Sequence, residues 1–330
     1  MKKIFASTLA LLALTGLVAL VNQTDNVQAQ ATGNANNLRL SPLKTDITVE
    51  AGDASAVTVY VQNMSDKAIT LQPLTSDFEA KDENGTPSLL LDEDQFAKTR
   101  SLKKFMSVPE TVVVQPKERA AISVRIAVPD GTLAGGYFGA VRFVPLDQAG
   151  NAQVDLAGSV ASLILLKVPG DLVEKLTLAT FDVRQDEKSS SWFKTPKNLD
   201  VLLRFKNEGN VQVTPFGKVL VSKSGKVVYE AEVNNTEPAG QTLPESVRRW
   251  SIPLNEIGKF GKYTVTASIG YGTTGQTITQ EKTIWIIPMI LIIGVLGAIV
   301  LLVFLIIVLP RMLRAYKNKV IRNSRGGRKR

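Results

Sequence analysis

The two halves of this chain follow one layout. "VTVYVQNMSDKAITLQP" and "VLLRFKNEGNVQVTP" each run as an alternating strand, an asparagine (Asn63 or Asn207), a turn and a second strand. Further along, "ISVRIAVPDGTLAGGYFGAVRF" and "ESVRRWSIPLNEIGKFGKYTVTASI" each hold a strand that ends at a proline, Pro129 or Pro253. A short loop follows in both, then a glycine-led aromatic strand. Side chains that alternate at period two belong to strands half-buried in a sheet. Many short strands at regular spacing, divided by turn residues, build sandwiches or barrels. The pattern predicts an all-β exterior of two tandem immunoglobulin-like β-sandwich domains, residues 38–169 and 170–283, with little helix before a C-terminal transmembrane helix.

The run "LAGGYFGAVRF" tests this reading, because clustered glycines can also cradle phosphate. A phosphate loop needs a helix behind it, whose N-terminal amides hold the anion. Here the chain continues as "YFGAVRFVPL", with Tyr137, Gly139, Val141 and Phe143 on one face and Phe138, Ala140, Arg142 and Val144 on the other. That is a strand. Gly135, Gly136 and Gly139 are therefore read as structural glycines that let the chain turn into, and pack closely within, the last strand of the first domain. On this reading Gly136→Val destabilises the first domain and leaves the second untouched.

Both ends carry membrane signals. Residues 1–31 read as a signal peptide: "MKK", an apolar stretch, and a small-residue cleavage pattern with Ala29 and Ala31, an uncleaved anchor being the alternative. Residues 32–37 form a polar lead-in. Residues 284–309 are uncharged and long enough to span a bilayer. Trp285 and Tyr316 suit its two interfaces, and Arg311, Arg314 and Lys317 open a basic tail over residues 310–330 that contains no acid. By the positive-inside rule the tail is cytoplasmic and the sandwiches are extracellular, in a single-pass protein of the cell membrane. Met312, Leu313, Tyr316 and Val320 would form the apolar face of a short amphipathic helix after Pro310.

The formal charge of +9 belongs to the tail. Without the tail and the signal segment, acids and bases nearly balance, so the exterior lacks the basic excess of a nucleic-acid-binding fold. The chain has no cysteine and no histidine. This removes thiol nucleophiles, disulfides, Ser-His triads and the commonest metal ligands. No cofactor is expected, and the chain is read as a non-enzyme. The acidic stretch within residues 76–105, with Asp92, Glu93 and Asp94, fits no calcium-loop spacing and reads as a solvated surface loop rather than a cation site. Within it "DENGT" looks like a hairpin turn. "LPESV" lacks the threonine-glycine pair of a sorting motif and lies inside a domain.

The run "SLKKFMSVPETVVVQPKERAAISVRIAVPDGTLAGGYFGAVRF" resembles the first domain of the WxL-interacting surface proteins of Gram-positive bacteria. "VLLRFKNEGNVQVTPFGKVLVSKSGKVVYEAEV" and "GKFGKYTVTASI" are similar in layout to that family's second domain. The resemblance implies a signal peptide, two immunoglobulin-like domains, one transmembrane helix and a basic tail. It also implies a first domain associated with peptidoglycan and a second with host or partner proteins. It carries no binding residue across. The expected function is a membrane-anchored bacterial adhesion or scaffolding protein that binds wall polymer or another surface protein, with the lipid bilayer as its other partner. The alternatives are an extracytoplasmic accessory or sensory subunit of a membrane complex and an exported carboxylate-based glycosidase.

Overall fold

The computed structural model describes residues 37–146, 160–255 and 257–326. The segment read as a signal peptide, with Ala29 and Ala31, lies outside the described residues.

Ten strands come first: β1 (Leu38–Ser41), β2 (Lys44–Thr48), β3 (Ala54–Asn63), β4 (Ile69–Ala80), β5 (Pro87–Leu89), β6 (Met106–Ser107), β7 (Val112–Val114), β8 (Arg119–Ala127), β9 (Gly135–Pro145) and β10 (Val160–Val168). They make one sheet in the order β1-β3-β8-β6 and a second in the order β2-β10-β9-β4-β5, with β7 also on β4. β2 joins β10 in parallel and the other pairs are antiparallel. The alternation in β3 and β8 turns Val57, Val59, Val61, Ile122, Val124 and Ile126 inward, against Leu71, Val141, Phe143, Ile164 and Leu166 of the facing sheet. With no disulfide available, this burial carries the stability, at about 1.5–3 kcal/mol for each fully buried apolar side chain.

Nine strands follow: β11 (Leu176–Gln185), β12 (Lys188–Ser189), β13 (Trp192–Phe193), β14 (Leu199–Asn207), β15 (Phe216–Lys223), β16 (Lys226–Val233), β17 (Val247–Pro253), β18 (Gly261–Tyr271) and β19 (Gln276–Ile286). Their sheets run β12-β11-β14-β17 and β13-β19-β18-β15-β16. Val201, Leu203 and Phe205 face Val219, Val221, Tyr263, Val265, Ile269, Ile284 and Ile286 across the core. The described chain ahead of its C-terminal helix is thus all-β, in two immunoglobulin-like sandwiches.

The repeated asparagine has one role in both. Asn63 is fully buried. Its amide donates to the carbonyls of Lys67 (2.7 Å) and Val114 (3.0 Å), and its Oδ1 accepts from Ser65 N (2.9 Å). Asn207, also fully buried, donates to Val211 O and Thr242 O, both at 2.8 Å, and accepts from Gly209 N at 2.9 Å. Each closes the turn that follows it and ties that turn to a distant segment. Only a short side chain with two donors and an acceptor meets all three demands.

Two sequence readings are corrected. β9 is not the last strand of its sandwich: β10 follows and pairs with it along its length. The apolar run at residue 284 is not all helix. Ile284 and Ile286 are fully buried in the β core, and Trp285 points to the other face of β19. Strand alternation and a spanning run share the letters "IWII", and hydropathy alone cannot divide them. The helix α1 (Met289–Val303) starts after Pro288, a residue suited to a helix start because it has no N–H to leave unbonded.

A π-turn at Phe304–Val308 joins α1 to α2 (Leu309–Gly326). Pro310 cannot donate to the carbonyl one turn back, and its ring needs room there, so the backbone widens just ahead of it. The 30 helical residues Met289–Asn318 form a rod long and apolar enough to cross a membrane. Arg311, Arg314, Tyr316 and Lys317 lie on α2, continuous with the apolar helix.

Candidate functional site: the groove between the sandwiches

The β4–β5 hairpin reaches from the first sandwich to the second. Asp82 Oδ1 accepts from Asn84 N (2.9 Å) and Thr86 N (3.3 Å), which sets the turn. The turn delivers Glu83 to Arg204, whose Nε donates at 2.8 Å and whose Nη2 takes the other carboxylate oxygen. Arg249, opposite Arg204 in the β14–β17 ladder, donates from Nε to Asn84 Oδ1 (2.8 Å) and from its backbone to Glu83 O (2.7 Å).

The hydrogen bonds from Arg204 outweigh the opposing effect of burial and, with lesser help from the charges of Arg204 and Arg249, hold the Glu83 carboxyl below the ordinary glutamate range. A depressed folded-state pKa stabilises the joint fully above the unfolded value, and that contribution is lost as pH falls through the folded value. Acidification below the ordinary glutamate range is therefore expected to loosen the hairpin from β14 and β17. Small-angle scattering of the full chain across that range should report a modest lengthening, since the pair is partly solvent-screened. A Glu83→Gln variant should show no such pH dependence.

Further contacts join the two sandwiches here. Gly136 N donates to Asn210 O at 2.8 Å. Gln241 Nε2 donates to Asp46 Oδ1 at 3.1 Å. Leu243 packs on the small cluster of Phe78, Phe138, Ala140 and Leu165.

Gly135 and Gly136 sit where this joint is tightest. Gly135 has φ 146°, and a Cβ there would lie 2.7 Å from Asn210 O and collide with the Arg100 guanidinium. At Gly136 a Cβ would meet Gln212 Oε1 at 2.6 Å and the Phe138 ring at 2.7 Å. At Gly139 it would meet Met106 Cε at 2.6 Å inside the first sandwich. The reading that Gly136 concerns the first domain alone is corrected, because its neighbours include the second domain's Gln212.

The acidic stretch is more than a solvated loop. Asp77 is fully buried and accepts from Ala97 N (2.9 Å) and Lys103 N (2.8 Å). Arg142, buried on β9, donates to Ser76 Oγ (3.1 Å) and Leu91 O (3.3 Å), and burial pushes its guanidinium pKa below the ordinary value. Asp92, Glu93 and Asp94 remain exposed. The Lys103 ammonium takes the carbonyls of Asp92 and Gln95, each at 3.2 Å, and of Glu93. The chain's own cation thus occupies those oxygens. Among the described residues no group of three or more acidic side chains could hold a metal ion.

Open space flanks the joint. On one side a cavity of about 400 Å³ is lined by Asp46, Lys167, Glu174, Gln212, Phe216 and Gln241. Glu174 Oε2 accepts from Thr273 N (2.6 Å) and Oγ1 (2.8 Å), so this carboxylate is fixed by its neighbours. The Oε1 atoms of Gln212 and Gln241 are buried and have no partner among the described residues. Phe216 leaves 55% of its surface exposed at the rim. On another side a cavity of about 260 Å³ is more apolar, between Leu43, Leu163 and Leu165 of one sandwich and Pro238, Leu243 and Arg248 of the other. The groups present hold and orient; carbonyl acceptors, a lysine and an aromatic face are what a polar ligand with an apolar side requires.

Sequence reasoning did not find the groove. "DENGT" is legible as a turn, but nothing in it names Arg204. Gln212 and Gln241 come from two separate loops of the second sandwich and meet Asp46 and Lys167 only through the fold. Trp285, Tyr316, Arg311, Arg314 and Lys317 do not line the groove.

The described chain is a β-protein of two tandem sandwiches with a partly polar groove between them and an apolar helix behind. No family model matches it, and no curated protein matches it. Among solved structures, the class 5 fimbrial chaperone CfaA aligns at 12% identity over 74% of this chain and 99% of its own, with a TM-score of 0.39. The YadV chaperone aligns at 12% identity over 75% and 100%, with a TM-score of 0.36. The CupB2 chaperone of Pseudomonas aeruginosa aligns at 14% identity over 74% and 99%, with a TM-score of 0.34. At these scores the likeness extends no further than a tandem β layout.

Proposed function

We propose that the chain is a membrane-anchored binding protein of a bacterial cell surface, and that it takes wall polymer into the groove between its sandwiches. The observation that carries the reading is the 400 Å³ cavity in which Asp46, Lys167 and the Gln212 and Gln241 side chains meet beside the exposed Phe216 ring. Glycan hydroxyls and amides would exchange hydrogen bonds with these polar side chains, and a sugar's apolar face would lie on Phe216. The resemblance to WxL-interacting proteins supports the same ligand class. The basic tail supports an extracellular placement of the sandwiches.

The full chain in lipid nanodiscs should sediment with purified insoluble peptidoglycan. Gln212→Ala and Gln241→Ala should each weaken retention about tenfold, the equivalent of one good hydrogen bond. A second reading, pairing with a surface protein, is favoured by β16. This strand is an edge with Val227 and Val228 exposed, open to an added strand. Wall retention unchanged by both glutamine variants would sink the groove reading. Capture of a surface protein that is lost in Val228→Lys would put the edge strand in its place.

A further inference from the structure

The far end of the second sandwich carries a different surface. The ladders bring the start of β18, the end of β19, β13 and the β15–β16 turn to one end of one sheet. That end is where the helix leaves. Trp192 pairs with Trp285 in the parallel β13–β19 ladder, and their rings stack at 6.1 Å with 24° between planes. Both are open to solvent, Trp192 at 63% and Trp285 at 38%. Phe260, just before β18, is also exposed. Lys262 stands opposite Trp285 in register, and Lys223 Nζ donates to Phe260 O at 2.7 Å. Lys226 and Lys259 adjoin these positions, while Asp186 and Glu187 lie on the β11–β12 turn of the other sheet. Among the described residues lysines outnumber acids here, and the aromatics form no part of the core.

The link to the helix leaves no slack. Trp285 N donates to Ser191 O and Ile287 N to Phe193 O, both at 2.8 Å, so the chain is tied to β13 up to Ile287. Only Ile287 and Pro288 separate β19 from α1, a reach of about 7 Å at most. If α1 enters a bilayer, this end of the sandwich cannot stand clear of it. Indole rings with a polar edge prefer the headgroup layer, and lysines nearby are drawn to anionic lipid.

We propose that the base of the second sandwich, through Trp192, Trp285 and Phe260 with Lys223 and Lys262, rests in the anionic headgroup layer of the membrane that its own helix crosses. The inference rests on the membrane-spanning reading of α1 and deepens it. The sandwich is held to the bilayer by its own surface as well as by its tether, which fixes the height and tilt of the groove above it.

The test uses the full chain in vesicles of phosphatidylcholine and phosphatidylglycerol brominated near the top of the acyl chains. The bromines should quench tryptophan emission. Trp192→Phe should remove part of that quenching, as should Trp285→Phe. Trp250→Phe should remove none, because Trp250 lies on β17 against Phe205. The chain has no cysteine, so Gly297→Cys, at a site with open space around it, gives a single thiol to report the span. Protection of that thiol from aqueous maleimide together with quenching of Trp192 supports the proposal. Protection with Trp192 unquenched overturns it and leaves the span standing. Labelling of the thiol from water overturns the spanning reading, and the proposal with it.

Discussion

Asn207→Ala should lower the melting point of the second sandwich by about 10 °C, and Asn63→Ala should do the same to the first. Each alanine removes two donations to buried carbonyls and one acceptance from a turn amide, and leaves a small void. Buried groups stripped of partners in this way cost about 3 kcal/mol together. Scanning calorimetry of the full chain in detergent would show which transition moves: the variant in one sandwich should shift one and spare the other. Asn207→Asp should be no better than alanine, because a carboxylate would face Val211 O and Thr242 O with no hydrogen to give. A fully stable Asn207→Ala protein would contradict the role assigned to this residue in both copies.

Gly135→Val should cost about 3 kcal/mol and separate the sandwiches. The comparison that isolates the reason is Gly261→Val. Gly261 begins β18 as Gly135 begins β9, and its φ of 130° is close to the 146° of Gly135. A side chain at either position therefore carries a similar backbone strain, about 1–2 kcal/mol. The surroundings differ. At Gly261 a new Cβ meets the flexible Lys223 side chain at 2.9 Å, which can move. At Gly135 it meets the backbone oxygen of Asn210 at 2.7 Å, which cannot move without opening the joint. Limited proteolysis of the connection near residue 173 should accelerate in Gly135→Val and not in Gly261→Val. Equal behaviour of the two would mean that strain alone, and not contact between the sandwiches, accounts for Gly135.

What the sequence made legible was local. Alternation marked the strands, because period two is imposed by each strand on its own residues. The matching asparagines and the glycine-led aromatic strands were legible because the chain states them twice. The facing of Tyr137, Val141 and Phe143 away from Phe138 and Ala140 also followed from period two alone, and the two sets do enter separate clusters. What was not legible depends on partners far away. β10 was missed as the strand that pairs with β9. Ile284 and Ile286 read as membrane residues because only the core of the sandwich, assembled from other strands, gives them another place. Trp192 carried no signal until β13 was laid beside β19. The groove was invisible for the same reason: its glutamines are ordinary in their own loops.

The pairing of β19 with β18 has a mechanical consequence. The second sandwich is entered at the first residue of β11, near the groove, and left at the last residue of β19, at the opposite end. A pull on the first sandwich, with the helix held fixed, would load the domain along its strands. The rungs from Gly261↔Ile286 to Tyr271↔Gln276 would then be stressed side by side and not one after another. Ladders loaded in that direction resist force far better than ladders peeled from one end. A tether emerging from the other end of the sheet, or through a long flexible spacer, would lack that strength.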